Sequence, residues 1–233
     1  MRLKPVHRRT LLTTAGLAVA GTAGTVALAP SAIAEDQAAS PDAALDRLMR
    51  GNRRYIKGHS RHPHQSLEYL HEVAKGQHPF AITIGCADSR VPPEILFDQG
   101  LGDVFDHRIA GNIPDELLLG SIEFAIEEFA PPLLMALGHE RCGAITATID
   151  AIESGTEPPG HIAAIVEALR PVVEPVLDEP GDKVENGVRA NIVDVVEQLQ
   201  RRSDIVAEKV EAGELTVVGA RYDLDTGKVT LVD

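Results

Sequence analysis

Short apolar runs alternate with longer amphipathic stretches along most of this chain. Phe80-Ala81-Ile82-Thr83-Ile84 reads as a buried strand. Residues 103–109 predict a second strand, stopped by the turn signal Ala110-Gly111-Asn112. Leu133-Leu134-Met135-Ala136-Leu137 predicts a third, ending at Gly138-His139, and residues 215–220 a fourth. Asp225-Thr226-Gly227-Lys228 turns the fourth into residues 229–232, as in a hairpin at a sheet edge.

Between these runs the period lengthens to that of a helix. Ser40-Pro41 opens a helix over 43–56, with Ala44, Leu45, Leu48 and Met49 on one face and four arginines mostly on the other. The same spacing predicts helices over 67–75, 116–129, 144–153 and 184–199, with a short one over 94–97. A helix over 162–176 is interrupted by Pro171 and Pro175, and Ser203 caps another that ends at Ala212-Gly213. Strands alternating with helices predict an α/β fold: a single domain over 42–233, its mainly parallel sheet flanked by helices, with an antiparallel edge strand at the C-terminus.

The first 34 residues follow another pattern. Arg2, Lys4, Arg8 and Arg9 precede a run of small and apolar residues that ends at Ala32-Ile33-Ala34, the layout of a cleaved signal peptide. Arg8-Arg9 before Thr10-Leu11-Leu12 resembles a twin-arginine export signal. The expectation is removal of residues 1–34 by the export machinery, a linker over 35–41, and a periplasmic or extracellular domain; retention as an anchor is the alternative. The chain carries a net charge of -13 and no tryptophan, which argues against a nucleic-acid partner.

Candidate chemistry gathers where two predicted strands end. Cys86-Ala87-Asp88-Ser89-Arg90 follows the first, and His139-Glu140-Arg141-Cys142 follows the third. Ligands of open α/β sheets bind at such ends. Two thiolates and an imidazole fill three corners of a tetrahedral zinc site and leave the fourth for water, the pattern of a catalytic centre. Zinc would acidify that water and provide hydroxide as a nucleophile. On an extended segment Cys86, Asp88 and Arg90 lean the same way. Asp88 can then accept a hydrogen bond from the hydroxide while Arg90 holds Asp88 in a fork. Two cysteines in an exported chain also fit a Cys86–Cys142 disulfide, and Asp88 with Arg90 alone reads as an ion pair. A thiol oxidoreductase lacks its C-x-x-C pair. His59, His62 and His64 make a histidine-rich loop whose irregular spacing, broken by Pro63, reads as solvated; His71 and His78 read as exposed.

The two motifs together resemble the β-class carbonic anhydrases. So do the segment from Val91 to Asp98, Gly100-Leu101-Gly102-Asp103, Arg108-Ile109-Ala110-Gly111-Asn112 and Gly219-Ala220-Arg221-Tyr222-Asp223. The resemblance implies a lyase that reversibly hydrates carbon dioxide to bicarbonate and a proton, with one zinc held by Cys86, His139 and Cys142 and a catalytic Asp88–Arg90 dyad. It also implies that Asp88 can take the fourth zinc position in a resting form. A homodimer or multiple of dimers is implied too, its first helix reaching the partner. Hydrolysis of carbon disulfide or carbonyl sulfide on the same site is an alternative. One departure stands out: Asp106 and His107 occupy positions where the family usually has apolar residues. Burying both is costly unless they pair, so they are expected to pair with each other or to face a widened pocket.

Overall fold

The computed structural model describes residues 40–232. The predicted signal peptide and most of the predicted linker lie outside the described residues. Five strands form one sheet in the order β2-β1-β3-β4-β5: β1 Ala81–Gly85, β2 Val104–Arg108, β3 Leu133–His139, β4 Thr216–Tyr222 and β5 Val229–Val232. The first four run parallel, and β5 pairs antiparallel with β4. The central strands β1 and β3 are buried along their whole length, as strands covered on both faces must be. This is the expected α/β architecture.

One face of the sheet is covered by α1 (Pro41–Ile56) and α3 (Pro93–Leu96), which bring Ala44, Leu48, Leu96 and Phe97 against Ala81, Met135 and Leu137. Ser40 caps α1 by accepting from the Ala43 amide, and Pro41 suits the first turn, where no amide is needed. The resemblance implied that this helix reaches a partner. Its apolar face is covered by the sheet of its own chain, where Leu48 and Ala44 are fully buried, and Arg47 stacks over Phe80 while bonding Asp103 at 2.8 Å; a contact with a partner would involve its other faces. Asn52 is also buried. Its side chain donates to the Leu96 and Gly227 carbonyls and accepts from the Val229 amide, so α1 is tied to the β4–β5 turn.

The opposite face carries α4 (Glu116–Phe129), α7 (Lys183–Arg202) and α8 (Asp204–Glu211), packed on Ile82, Ile84, Leu134 and Ala136. Alternation along β1 and β3 splits their side chains between the two cores. A third cluster lies under the C-terminal strand ends. It joins Cys86 and Cys142 to Ile145 and Ile149 of α5 (Gly143–Ser154), Leu169 and Val173 of α6 (Ile162–Val173), and Ile192 of α7. Gly138 makes that approach feasible, because a Cβ there would stand 2.5 Å from Ile192. Pro171 sits inside α6, and Glu174–Val176 continue as one 3-10 turn, so the two prolines tighten the helix end without breaking it. The remaining helix, α2 (Leu67–Val73), buries no residue, and His71 and His78 are exposed as expected.

Candidate metal centre

The β1 end delivers a thiol and a forked ion pair. Cys86 follows Gly85 directly and is buried. Two residues on, Asp88 Oδ1 accepts from the Arg90 amide and from Arg90 Nε, each at 2.9 Å, and Oδ2 accepts from Arg90 Nη2 at 2.7 Å. This is a bidentate guanidinium–carboxylate pair. The Arg90 side chain holds the Asp88 carboxyl well below the usual carboxylate range. Arg108 ends the neighbouring strand in register with Gly85. It donates through Nε to the Cys86 carbonyl at 3.1 Å and through Nη2 to the Asp88 carbonyl, which fixes the backbone of the turn.

The β3 end delivers the other two donors. The His139 side chain is fully buried. Its Nδ1 lies 2.7 Å from the Glu140 carbonyl; a carbonyl can only accept, so Nδ1 carries the proton and Nε2 a lone pair. Among the described residues, His139 Nε2 is the buried side-chain nitrogen left without a partner. Arg141 turns the chain in the left-handed region (φ 49°), and Cys142 then stands at the N-cap of α5. The amides of Ala144 and Ile145 favour an ionised sulfur there.

The donor atoms of Cys86, His139 and Cys142 all lie within 4.8 Å of one another. Both cysteines are free thiols, so the disulfide reading is not what the fold builds. In a tetrahedral zinc site with bonds of roughly 2.0–2.3 Å, donors stand about 3.5–4 Å apart. Two sulfurs and an aimed, unclaimed imidazole nitrogen fit that cation. The protonation of the pair points the same way. A thiol of Cys142 donating to Cys86 lowers the Cys86 pKa, against the cost of burial and with help from the Gly111 and Asp88 amides. The resulting thiolate, and then burial, push Cys142 up. The two sulfurs thus share one proton, and a dication in its place would let both ionise.

The supporting loop between β2 and α4 is built for close approach. Gly111 has φ 77°, and a Cβ there would meet Leu169 at 2.8 Å. Asn112 is buried and donates to the Leu137 carbonyl at 2.7 Å, and Asn191 of α7 donates to the Gly111 carbonyl at 2.9 Å. The sequence marked Gly111 and Asn112 as a turn signal and Arg108 to Asn112 as a segment resembling the family, without placing them as supports of the centre.

Asp106 and His107 do not pair with each other, because neighbours on a strand point to opposite faces. Asp106 accepts from Thr83 Oγ1 at 2.5 Å, and burial pushes its carboxyl up to about 6. His107 Nε2 lies 2.9 Å from Ser121 Oγ, its ring tilts against Phe105, and burial lowers its pKa. In the histidine-rich loop His59 and His62 are exposed, as the solvated reading expected, and His64 is the one that differs. His64 Nδ1 lies 2.8 Å from Asp103 Oδ2 and its ring stacks on Tyr69, while Asp98 accepts from the Arg61 and His62 amides. The carboxylates are remote in sequence, which is why spacing did not reveal them.

A family model for carbonic anhydrase matches residues 81–229. Carbonic anhydrase 2 of Mycobacterium tuberculosis (strain ATCC 25618 / H37Rv) is 41% identical over 194 residues, which cover 83% of this chain and 94% of that protein. A carbonic anhydrase of Mycolicibacterium smegmatis is 40% identical over 82% of this chain and 93% of its own length. Among solved structures, the β-carbonic anhydrase CafA of Aspergillus fumigatus is 30% identical, with a TM-score of 0.63 over 82% of this chain and 90% of that one. Sequence, fold and the geometry of the strand ends agree, and the chain belongs to the β class of the carbonic anhydrase family.

Proposed function

We propose that Cys86, His139 and Cys142 hold one zinc ion and that Asp88 and Arg90 serve it in the reversible hydration of carbon dioxide to bicarbonate and a proton. The observation that carries the reading is the buried, unpartnered His139 Nε2 beside two free thiols, in a chain of this family. Bound zinc supplies a Lewis acid that makes water a nucleophile near neutral pH. The chain's own groups do the rest. Asp88 Oδ2 lies 3.9 Å from His139 Nε2, at the edge of the donor set. As an ionised carboxylate it only accepts, so it orients the attacking water by taking its hydrogen bond. Arg90 engages both Asp88 oxygens, and that fork must open before Asp88 can serve as a fourth ligand. Half-exposed Arg90 and exposed Ser89 open the site to solvent, where the product proton leaves.

The test is stopped-flow hydration of carbon dioxide with and without chelator, together with metal analysis. The expected result is about one zinc per chain and activity that chelation abolishes. Chelator-resistant hydration, or a chain that takes up no zinc, would reject the ligand set. Turnover of carbon disulfide or carbonyl sulfide in place of carbon dioxide would redirect the substrate and keep the site.

We propose further that residues 1–34 direct export and are removed, on the strength of Arg8-Arg9 and Ala32-Ile33-Ala34. A mature N-terminus at Glu35, read by mass spectrometry, is the expected outcome. A homodimer is supported by α4, which exposes Leu117 (86%) and Phe124 (54%) beside the free edge of β2. Phe124→Glu is expected to lower the mass seen by sedimentation.

A further inference from the structure

The turn that carries His139 and Cys142 does not hold itself. Its middle residue, Arg141, sits at φ 49°, a conformation that disfavours a side chain. What holds it comes from the far end of the chain, where β4 turns into β5. The Glu140 amide donates to the Tyr222 carbonyl at 3.1 Å. Glu140 Oε1 accepts from Arg221 Nη2 at 2.5 Å, and Oε2 accepts from the Leu224 amide at 2.9 Å. Arg141 reaches Asp225 through both terminal nitrogens, at 2.8 and 3.0 Å.

The element that grips is itself rigid. Asp223 Oδ1 accepts from the Asp225 and Thr226 amides and from Thr226 Oγ1. Arg221 is nearly buried and is anchored behind by Glu185 of α7 at 2.7 Å. Asn52 of α1 binds the Gly227 carbonyl and the Val229 amide from below. The residue so fixed matters for His139, because the Glu140 carbonyl takes the Nδ1 proton and thereby aims Nε2.

We propose that the β4–β5 turn is a clamp that positions the His139–Cys142 turn for its metal, with Arg221 and Glu140 as the principal positioning residues. This rests on the ligand set proposed above. Outer partners of metal ligands act by fixing ring orientation, and their loss costs about 10–100-fold in metal affinity. The Arg141–Asp225 fork lies in solvent and is expected to contribute less than the shielded Glu140–Arg221 pair.

The experiment compares the zinc-loaded full chain with Glu140→Gln, Arg221→Met and Asp225→Asn. Zinc release into excess chelator and the absorption bands of the cobalt-substituted protein are read beside circular dichroism melts. The expected result is release at least ~10-fold faster in Glu140→Gln and Arg221→Met, shifted cobalt bands, and a smaller change in Asp225→Asn. Glu140→Gln keeps shape and can still accept from Leu224, so it reads the charged pair even where Arg221→Met does not fold. Folded variants with wild-type release rates and unshifted bands would overturn the clamp and leave the ligand set standing. A wild-type chain that holds no zinc would overturn both.

Discussion

Two turns of this molecule that carry histidine differ sharply, and one of them gathers the donors of a candidate metal centre. The loop around residues 59–64 has three histidines, and the turn at 139–142 has one. In the loop, His64 is taken by Asp103 and Tyr69, and the nearby Asp98 is taken by Arg54 at 2.5 Å and by two amides. At the 139–142 turn, an imidazole nitrogen without a partner is brought beside the free thiols of Cys142 and Cys86. The difference teaches that a site is marked by donors left over after the fold has closed. The number of donors in a stretch of sequence is a poor guide to it.

The sharpest way to break this comparison is Cys142→Ser. A serine hydroxyl does not ionise as a thiol does, so zinc content should fall well below one per chain and hydration by at least ~100-fold. Unchanged zinc would show that the leftover donors are not the ligands. Next in size is Asp98→Asn, which removes a buried carboxylate and strands Arg54; it should cost about 3 kcal/mol in urea unfolding and no zinc. Burial acts against the Asp98 charge, but the Arg61 amide and Arg54 outweigh it, so its pKa is lowered. Its stability is therefore present above the unfolded carboxylate range and lost as pH falls through the folded value. The variant and the parent should converge in acid.

Asp106 reverses that sign, since burial outweighs its bond from the Thr83 hydroxyl and has raised it to about 6. Its neutral form is favoured by the fold, so that stability is complete below about pH 4 and is lost as pH rises through about 6. Asp106→Asn should then gain about 2 kcal/mol at pH 8 and nothing at pH 4, in paired thermal melts. A gain of equal size at both pH values would contradict the assignment. The smallest effect is His64→Ala, expected to lose about 1 kcal/mol of stability while zinc and hydration stay at wild-type levels. Zinc lost with His64 would mean that the loop belongs to the centre after all.

The elements were legible because each keeps one period. Strands β1 and β3 are mostly apolar runs, and α4 occupies the predicted 116–129 stretch to the residue. The two cysteine motifs were legible because each lies directly after such a run. What stayed hidden depends on long separations. Nothing near Glu140 announces Arg221, and nothing near His64 announces Asp103. The pairing of Asp106 with Thr83 follows from strand register, which only the assembled sheet supplies. The packing of α1 on its own sheet was hidden too, since an amphipathic face does not say which chain will cover it.

Asn52 bonds to residues 175 and 177 positions further along. Contacts of such high sequence separation close late, because the intervening chain must already be arranged. On a ribosome, helix α1 emerges long before the hairpin it must grip. The β4–β5 hairpin therefore acts as a lock that is fitted late onto α1. A nascent chain stalled before residue 221 would carry all three prospective ligands and still lack the residues that hold Glu140.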